Sequence, residues 1–98
     1  MTARVAVLTV DLTIAGSRSL KDKRGVLRSI LDGAHRRFGV SVAETGHQDL
    51  RQRAELAFAT VSGSVSHTDE VLDGVERFVW SFPEIEVIGH ERRYLEVD

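Results

Sequence analysis

Positive charge is concentrated at the start of a segment that reads as an amphipathic helix, between Ser19 and Phe38. Ser19 is a suitable N-cap, and Asp22 follows at a spacing that resembles a capping box. Cations in the first turn of a helix oppose its macrodipole, at a cost of up to about 1 kcal/mol each at low salt. A bound anion would offset this cost, because the free first-turn N–H groups and the cations attract the same charge. A solvated charged face is the alternative. The candidate RNA- or anion-binding residues are Arg18, Lys21, Lys23, Arg24, Arg28, Arg51 and Arg53.

Other arrangements that could support chemistry are weak. The four histidines, His35, His47, His67 and His90, include no pair at the spacing of a helical metal site. His47 and Asp49 could place an imidazole and a carboxylate on one loop, although a solvated loop is the simpler interpretation. Cysteine is absent, which excludes disulfides and thiol catalysis, and no phosphate-binding or dinucleotide-binding motif is present. We therefore predict a protein that is not an enzyme and needs no metal or cofactor.

The net charge of −2 conceals an uneven distribution. Residues 18–53 carry nine Lys/Arg against four acids, a balance of +5, and residues 54–98 carry three arginines against ten acids, a balance of −7. Such a polar molecule can approach an anionic surface with its basic side even though the whole chain is acidic. No run approaches the roughly 20 apolar residues of a membrane span, and the N-terminus lacks the order of a signal peptide. We expect a cytoplasmic protein.

Hydrophobic periodicity divides the chain into strands of alternating character and helices with apolar faces. Gly39 is predicted to end the first helix, and Ser66 to cap the second, with Asp69 and Glu70 in its first turn. Gly89 is predicted to bend the last strand. The predicted strands are Arg4–Ile14, Val40–Thr45, Ala54–Ser62 and Ile85–Val97, and the predicted helices are Ser19–Phe38 and His67–Phe82.

The order β-α-β-β-α-β predicts an α+β fold of the ferredoxin-like type, in one domain that spans residues 1–98. Right-handed crossovers give a four-stranded antiparallel sheet of order 4-1-3-2, with both helices on one face. The other face would expose a surface that is too apolar to be left to water, made of Val5, Val7, Thr9, Ala57, Ala59 and Val61. We therefore expect a homodimer that packs sheet on sheet. Trp80 is expected to pack on the last strand or in a partner interface.

The sheet lacks the exposed aromatic side chains with which RNA-binding domains of this fold class read single strands. Phe58 is predicted to point into the core, and only Tyr94 is a candidate. Any RNA contact should therefore use phosphates along the edge of the first helix, with little sequence readout and a strong salt dependence.

Three segments of the chain run from Ser17 to Arg24, from Phe38 to Glu44 and from Asp49 to Ala54. Together they resemble the small bacterial family known as DUF503, or YlxP-like, and the resemblance covers nearly the whole chain. The resemblance implies a ferredoxin-like fold and no established catalytic activity. Genes of this family often lie beside those for translation initiation and ribosome-maturation factors, which implies a translation-linked role.

Two functional classes follow from these observations. The first is a non-enzymatic module that docks on structured RNA, with ribosomal RNA or a ribosome-associated factor as its partner. The second is a module that uses the same cations to bind a small anionic ligand or an acidic protein.

Overall fold

The computed structural model describes residues 2–98, which form six elements in the order βαββαβ. The elements are β1 (Ala3–Thr13), α1 (Leu20–Phe38), β2 (Ser41–Gly46), β3 (Arg53–Ser62), α2 (Val65–Trp80) and β4 (Glu86–Val97). Five of them lie within one residue of the predicted bounds at each end. Neither α1 nor α2 is long and apolar enough to cross a membrane.

The four strands form one sheet of order β2-β3-β1-β4, which is the predicted 4-1-3-2 order counted from the other edge. Every neighbouring pair is antiparallel. Two βαβ halves produce this order when each helix crosses over the sheet to reach a non-adjacent strand. The prediction of a ferredoxin-like α+β fold is confirmed.

The core lies between the sheet and the two helices. Alternation along β1 directs Ala6, Leu8, Val10 and Leu12 toward the helices, and all four side chains are fully buried. Phe58 of β3 is also fully buried, as predicted. The remaining core side chains are Ile14, Leu27, Ile30, Ala34, Val40, Ala54, Leu56, Leu72, Val75 and Val79. Apolar residues on one side of each strand therefore fix which face of the sheet the helices cover.

Both ends of α1 agree with the prediction. The Ser19 hydroxyl accepts a hydrogen bond from the backbone N–H of Asp22 at 3.1 Å, which makes Ser19 the N-cap. Gly39 adopts a left-handed conformation with φ of 67°, and its N–H donates to the carbonyl of His35. This conformation is one that glycine adopts at little cost, so the helix stops here.

The start of α2 corrects the prediction. Ser64, and not Ser66, is the N-cap, because its hydroxyl accepts the N–H of His67 at 3.1 Å. The buried Thr68 donates to the carbonyl of Val65 at 2.6 Å and secures this earlier turn. The first turn therefore contains no acidic residue. The prediction that Asp69 and Glu70 lie in the first turn of α2 is therefore wrong.

The last strand has the predicted irregularity near Gly89. Asp11 pairs with Gly89 and Leu12 pairs with Val87, so Ile88 is an extra residue in β4. Farther along β4, the His90 ring packs edge-on against Trp80 of α2, with centroids 5.3 Å apart. This contact confirms that Trp80 packs on the last strand.

Acidic residues of α2 are largely engaged by one arginine of β4. The Arg92 guanidinium contacts Asp73 at 2.7 Å, and Asp69 and Glu76 at 3.2 Å each. Burial alone would lower the pKa of Arg92, but the hydrogen bond with Asp73 and the charge of Glu76 outweigh it and raise this pKa. Three acids of the second half of the chain thus share one cation from the same half.

We predict that Tyr94 titrates above its ordinary pKa of 10.0, because its hydroxyl donates to Asp69 at 2.7 Å and is partly desolvated. A raised pKa in the folded state means that the contact stabilises the fold fully below pH 10 and loses this effect as pH rises through the raised value. Ultraviolet titration of the phenol measures it cleanly, since Tyr94 is the single tyrosine. Asp69→Asn should return the midpoint toward 10.0. A native midpoint at or below 10.0 would show that the contact is absent.

Candidate anion-binding site

Two loops and the first turn of α1 meet at one corner of the molecule. The side chain of Gln52, in the β2–β3 loop, donates to the carbonyls of Ala15 and Ser17 at 3.2 and 3.0 Å. The backbone N–H of Ile14 donates to the carbonyl of Gln52 at 2.9 Å. These bonds attach the β2–β3 loop to the β1–α1 loop, so basic residues from distant parts of the sequence lie at the same corner.

Lys23 holds this corner together from the inside. Only 2% of its surface is exposed, and its ammonium donates to the carbonyls of His47 and Leu50 at 2.7 and 2.8 Å. The same ammonium pairs with a carboxylate oxygen of Glu44 at 2.8 Å. Two carbonyl oxygens therefore accept hydrogen bonds from Lys23, and the Glu44 carboxylate balances its charge. We correct its assignment as a ligand-binding residue, because no external anion can reach it.

The carbonyl that Lys23 engages belongs to a residue with an uncommon backbone. His47 has φ of 60°, and it is the one residue other than glycine in the described chain with a positive φ. Such a conformation costs on the order of 1 kcal/mol or more for a residue with a side chain. The His47 carbonyl accepts both the Lys23 ammonium and the N–H of Leu50. These two bonds stabilise the turn that positions the β2–β3 loop.

Arg53 also departs from the predicted set. Its side chain lies on the face of the sheet away from the helices, where one guanidinium nitrogen contacts both carboxylate oxygens of Asp11 at 3.0 Å. The His47 ring is 3.4 Å from the same nitrogen and 3.9 Å from Asp11. The carboxylate beside His47 is therefore Asp11, on β1, and not the predicted loop partner Asp49. Arg53 is neutralised and does not join the cations of α1.

The other five predicted cations are exposed and lie at the corner or along the adjoining flank of α1. Within residues 2–98 none of the five makes an ion pair. We call this set the basic corner. Its members are Arg18, Lys21, Arg24, Arg28 and Arg51.

Two different parts of the chain build the basic corner. Lys21, Arg24 and Arg28 follow a spacing of three and four residues, so they lie along one flank of α1. Arg51 is fixed through its neighbours, because Leu50 accepts from Lys23 and Gln52 donates to the β1–α1 loop. The buried Lys23 therefore helps to position the exposed Arg51.

The amides at the start of α1 are not the centre of this site. The Ser19 hydroxyl already caps the helix, and the Asp22 carboxylate accepts the N–H of Arg18 at 3.0 Å. The negative charge of Asp22 disfavours an anion directly at the helix terminus. An anion would instead meet the cations along the flank between Lys21 and Arg28.

Three arginines elsewhere in the chain are held in ion pairs, whereas Arg36, Arg37 and Arg77 are exposed and make no ion pair within residues 2–98. Arg4 pairs with Glu96, Arg93 with Glu91, and Arg92 with three acids of α2. The basic corner therefore combines accessible cations with few internal partners, which is what recognition of a negatively charged surface requires. No group of three or more His, Cys, Asp or Glu in residues 2–98 is arranged to hold a metal ion.

Comparison with known sequences adds a family to this geometry. Residues 5–92 match the family described as "Protein of unknown function (DUF503)". The chain belongs to the DUF503 family. It is also 47% identical, over 76 residues, to a Bacillus subtilis (strain 168) protein named "Uncharacterized protein YlxP". That alignment covers 78% of this chain and 83% of the relative. The DUF503 match includes the whole basic corner.

In this DUF503 chain, spacing along α1 already distinguishes Lys23, which is buried, from the exposed cations beside it. Lys23 precedes the buried Leu27 by four residues and the buried Ile30 by seven, so it lies on the core-facing side of α1. Its partners Glu44, His47 and Leu50 lie more than twenty positions away and become visible only in the folded chain.

Proposed function

We propose that this protein is a non-enzymatic module that docks on structured RNA, with ribosomal RNA as its partner, through the basic corner. The observation that carries the proposal is that five exposed cations in a chain of net charge −2 make no ion pair within residues 2–98. An exposed cation without a partner contributes little to folding, and its interaction with a phosphate releases counterions.

The extent of the basic corner favours a polyanion over a small anion. Lys21 and Arg28 are seven residues apart on α1, which separates them by about 10 Å along the helix axis. Arg18 and Arg51 extend the surface beyond the helix. A row of phosphates can contact such a surface at several points, whereas one small anion cannot.

The faces of the sheet favour structured RNA over a flexible single strand. The face away from the helices carries no aromatic side chain within residues 2–98, because Phe58 is buried and Tyr94 lies on the helix side, where it contacts Asp69. Single strands are bound mainly by stacking on aromatic residues. Recognition through phosphates alone suits the regular backbone of a folded RNA.

A small anionic metabolite is the weaker alternative. The cavity beside the basic corner, of about 390 Å³, is lined by apolar residues together with Asp22 and Glu84. These two carboxylates would repel an anionic ligand. The translation-linked role rests on the gene neighbourhood that the family resemblance implies, and a ribosomal partner would place the protein in the cytoplasm.

Fluorescence anisotropy with a labelled ribosomal RNA fragment tests the proposal. Wild type should bind, and the triple variant Lys21→Gln/Arg24→Gln/Arg28→Gln should bind about 100-fold more weakly, since each lost phosphate contact costs several-fold in affinity. The variant should keep the wild-type melting temperature, because all three side chains are exposed.

A charge-matched control separates this surface from overall charge. The variant Arg4→Gln/Arg36→Gln/Arg77→Gln loses the same number of charges away from the basic corner and should bind within a few-fold of wild type. Equal losses in the two triple variants would leave only non-specific attraction. Absence of binding by wild type, with capture of an acidic protein at the same residues, would favour the protein-interaction alternative.

A further inference from the structure

The open face of the sheet, which is the face away from the helices, has an apolar half that no part of the described chain covers. Val61, Val5 and Leu95 form one row across β3, β1 and β4, and 65% of Val61 and 62% of Leu95 are exposed. The next row contains Ala59 and Val7 in its centre, with Ser41 and Arg93 at its ends. Contiguous apolar rows of this kind are characteristic of interfaces.

The two sides of this face differ in the size of their side chains. On β2 and β3 the face carries alanines, at Ala43, Ala57 and Ala59. At the same levels it carries the larger Val7 and Thr9 on β1, and Arg93 and Glu91 on β4. A second copy related by a two-fold axis along the strands, between β3 and β1, would place the small side of each copy on the large side of the other. The face is therefore complementary to itself.

Three carboxylates of the open face already have partners within the chain, and a fourth, Glu86, lies at the far end of the face opposite Thr13. Asp11 is held by Arg53 at 3.0 Å, and Glu91 by Arg93 at 2.5 Å. Glu55 accepts a hydrogen bond from the Thr45 hydroxyl at 2.6 Å. A partner that covers Asp11, Glu55 and Glu91 would therefore bury groups that already have partners, which is far less costly than burying isolated charges.

The dimensions of the face suit a stable pair. Four strands about 4.8 Å apart and about ten residues long give a surface of roughly 600 Å² on each copy. Two such faces bury about 1,200 Å² in total, which reaches the lower limit of stable protein interfaces. Two twisted sheets also pack face to face readily, with their strands about 30° apart.

We propose that a second copy of this chain covers the open face, so that the protein is a homodimer with the helices on its two outer surfaces. Val61 then packs against Val5 of the partner subunit, and Ala59 against Val7 of the partner subunit. This proposal does not depend on RNA binding, because the basic corner contributes no residue to the open face.

Light scattering coupled to size exclusion tests the homodimer. Wild type should show about twice the 10.9 kDa mass of the chain at micromolar concentration. Val61→Lys, and separately Leu95→Lys, should raise the dimer dissociation constant by about 100-fold or more, because each dimer would contain two lysines facing an apolar layer. Both positions are exposed in the single chain, so both variants should keep the wild-type helical signal in circular dichroism.

Leu50→Lys is the matched control, since Leu50 is also an exposed apolar residue but lies in the β2–β3 loop. It should remain dimeric. Wild type with the mass of a monomer would overturn the proposal. A dimer that survives both Val61→Lys and Leu95→Lys would equally overturn it, because the interface would then lie elsewhere.

Discussion

Replacing Lys23 by alanine is expected to lower the free energy of unfolding by about 3–5 kcal/mol, the usual cost of removing one partner of a buried ion pair. The substitution leaves the Glu44 carboxylate without its cation and the carbonyls of His47 and Leu50 without their donor. The positive φ of His47 would also lose a stabilising contact. The β2–β3 loop should become more mobile, and Arg51 with it.

Chemical denaturation of Lys23→Ala and Lys21→Ala measures this effect. Lys21 is two residues away on the same helix but is exposed, so its replacement should change stability by no more than about 0.5 kcal/mol. The double variant Lys23→Met/Glu44→Leu should recover only part of the loss, because an apolar pair can replace the ion pair but leaves the carbonyls of His47 and Leu50 without their donor. A stability of Lys23→Ala within about 1 kcal/mol of wild type would mean that the lysine is accessible and belongs with the binding cations.

Replacing Gly33 by alanine is expected to destabilise the fold by about 1–3 kcal/mol through overpacking. A Cβ at this position of α1 would lie 2.4 Å from the ring of Phe78 on α2. That ring has little room to move, because it packs edge-on against Phe38 and Phe82 with centroids 6.0 and 5.2 Å apart. Thermal unfolding followed by circular dichroism measures the change.

Gly25 provides the matched control in the same helix. A Cβ built on Gly25 meets no atom within 4 Å, so alanine there should stabilise the fold by up to about 1 kcal/mol through its higher helix propensity. Opposite signs for Gly25→Ala and Gly33→Ala would confirm the packing of α1 on α2. Stabilisation by both would show that the helices are farther apart than described.

Much of the fold was predictable because its signals are local. Alternation along β1 identified the buried face of the sheet, and the spacing of Leu27, Ile30 and Ala34 identified the buried face of α1. Ser19 and Gly39 marked the ends of α1 correctly. The predicted start of α2 was wrong because Ser64 and Ser66 both suit an N-cap, and the choice between them depends on the buried Thr68.

The candidate site was less predictable because charge alone does not identify which cations are accessible. Lys23 and Arg53 have the same formal charge as Lys21 and Arg24, but oxygens from other elements occupy them. Those partners depend on the β1–β3 register and on the turn at His47, which no sequence spacing specifies. The basic corner consists of the predicted cations that remain once Lys23 and Arg53 are assigned to their internal partners.

The salt dependence of RNA binding by single variants tests the basic corner most directly. The slope of the logarithm of the association constant against the logarithm of salt concentration reports how many phosphates the protein neutralises. Lys21→Gln should reduce the magnitude of this slope by about 1, while Arg77→Gln, which removes an exposed cation from α2, should leave it unchanged. An unchanged slope for Lys21→Gln, or an equal reduction for Arg77→Gln, would contradict the assignment of the basic corner as the RNA-binding surface.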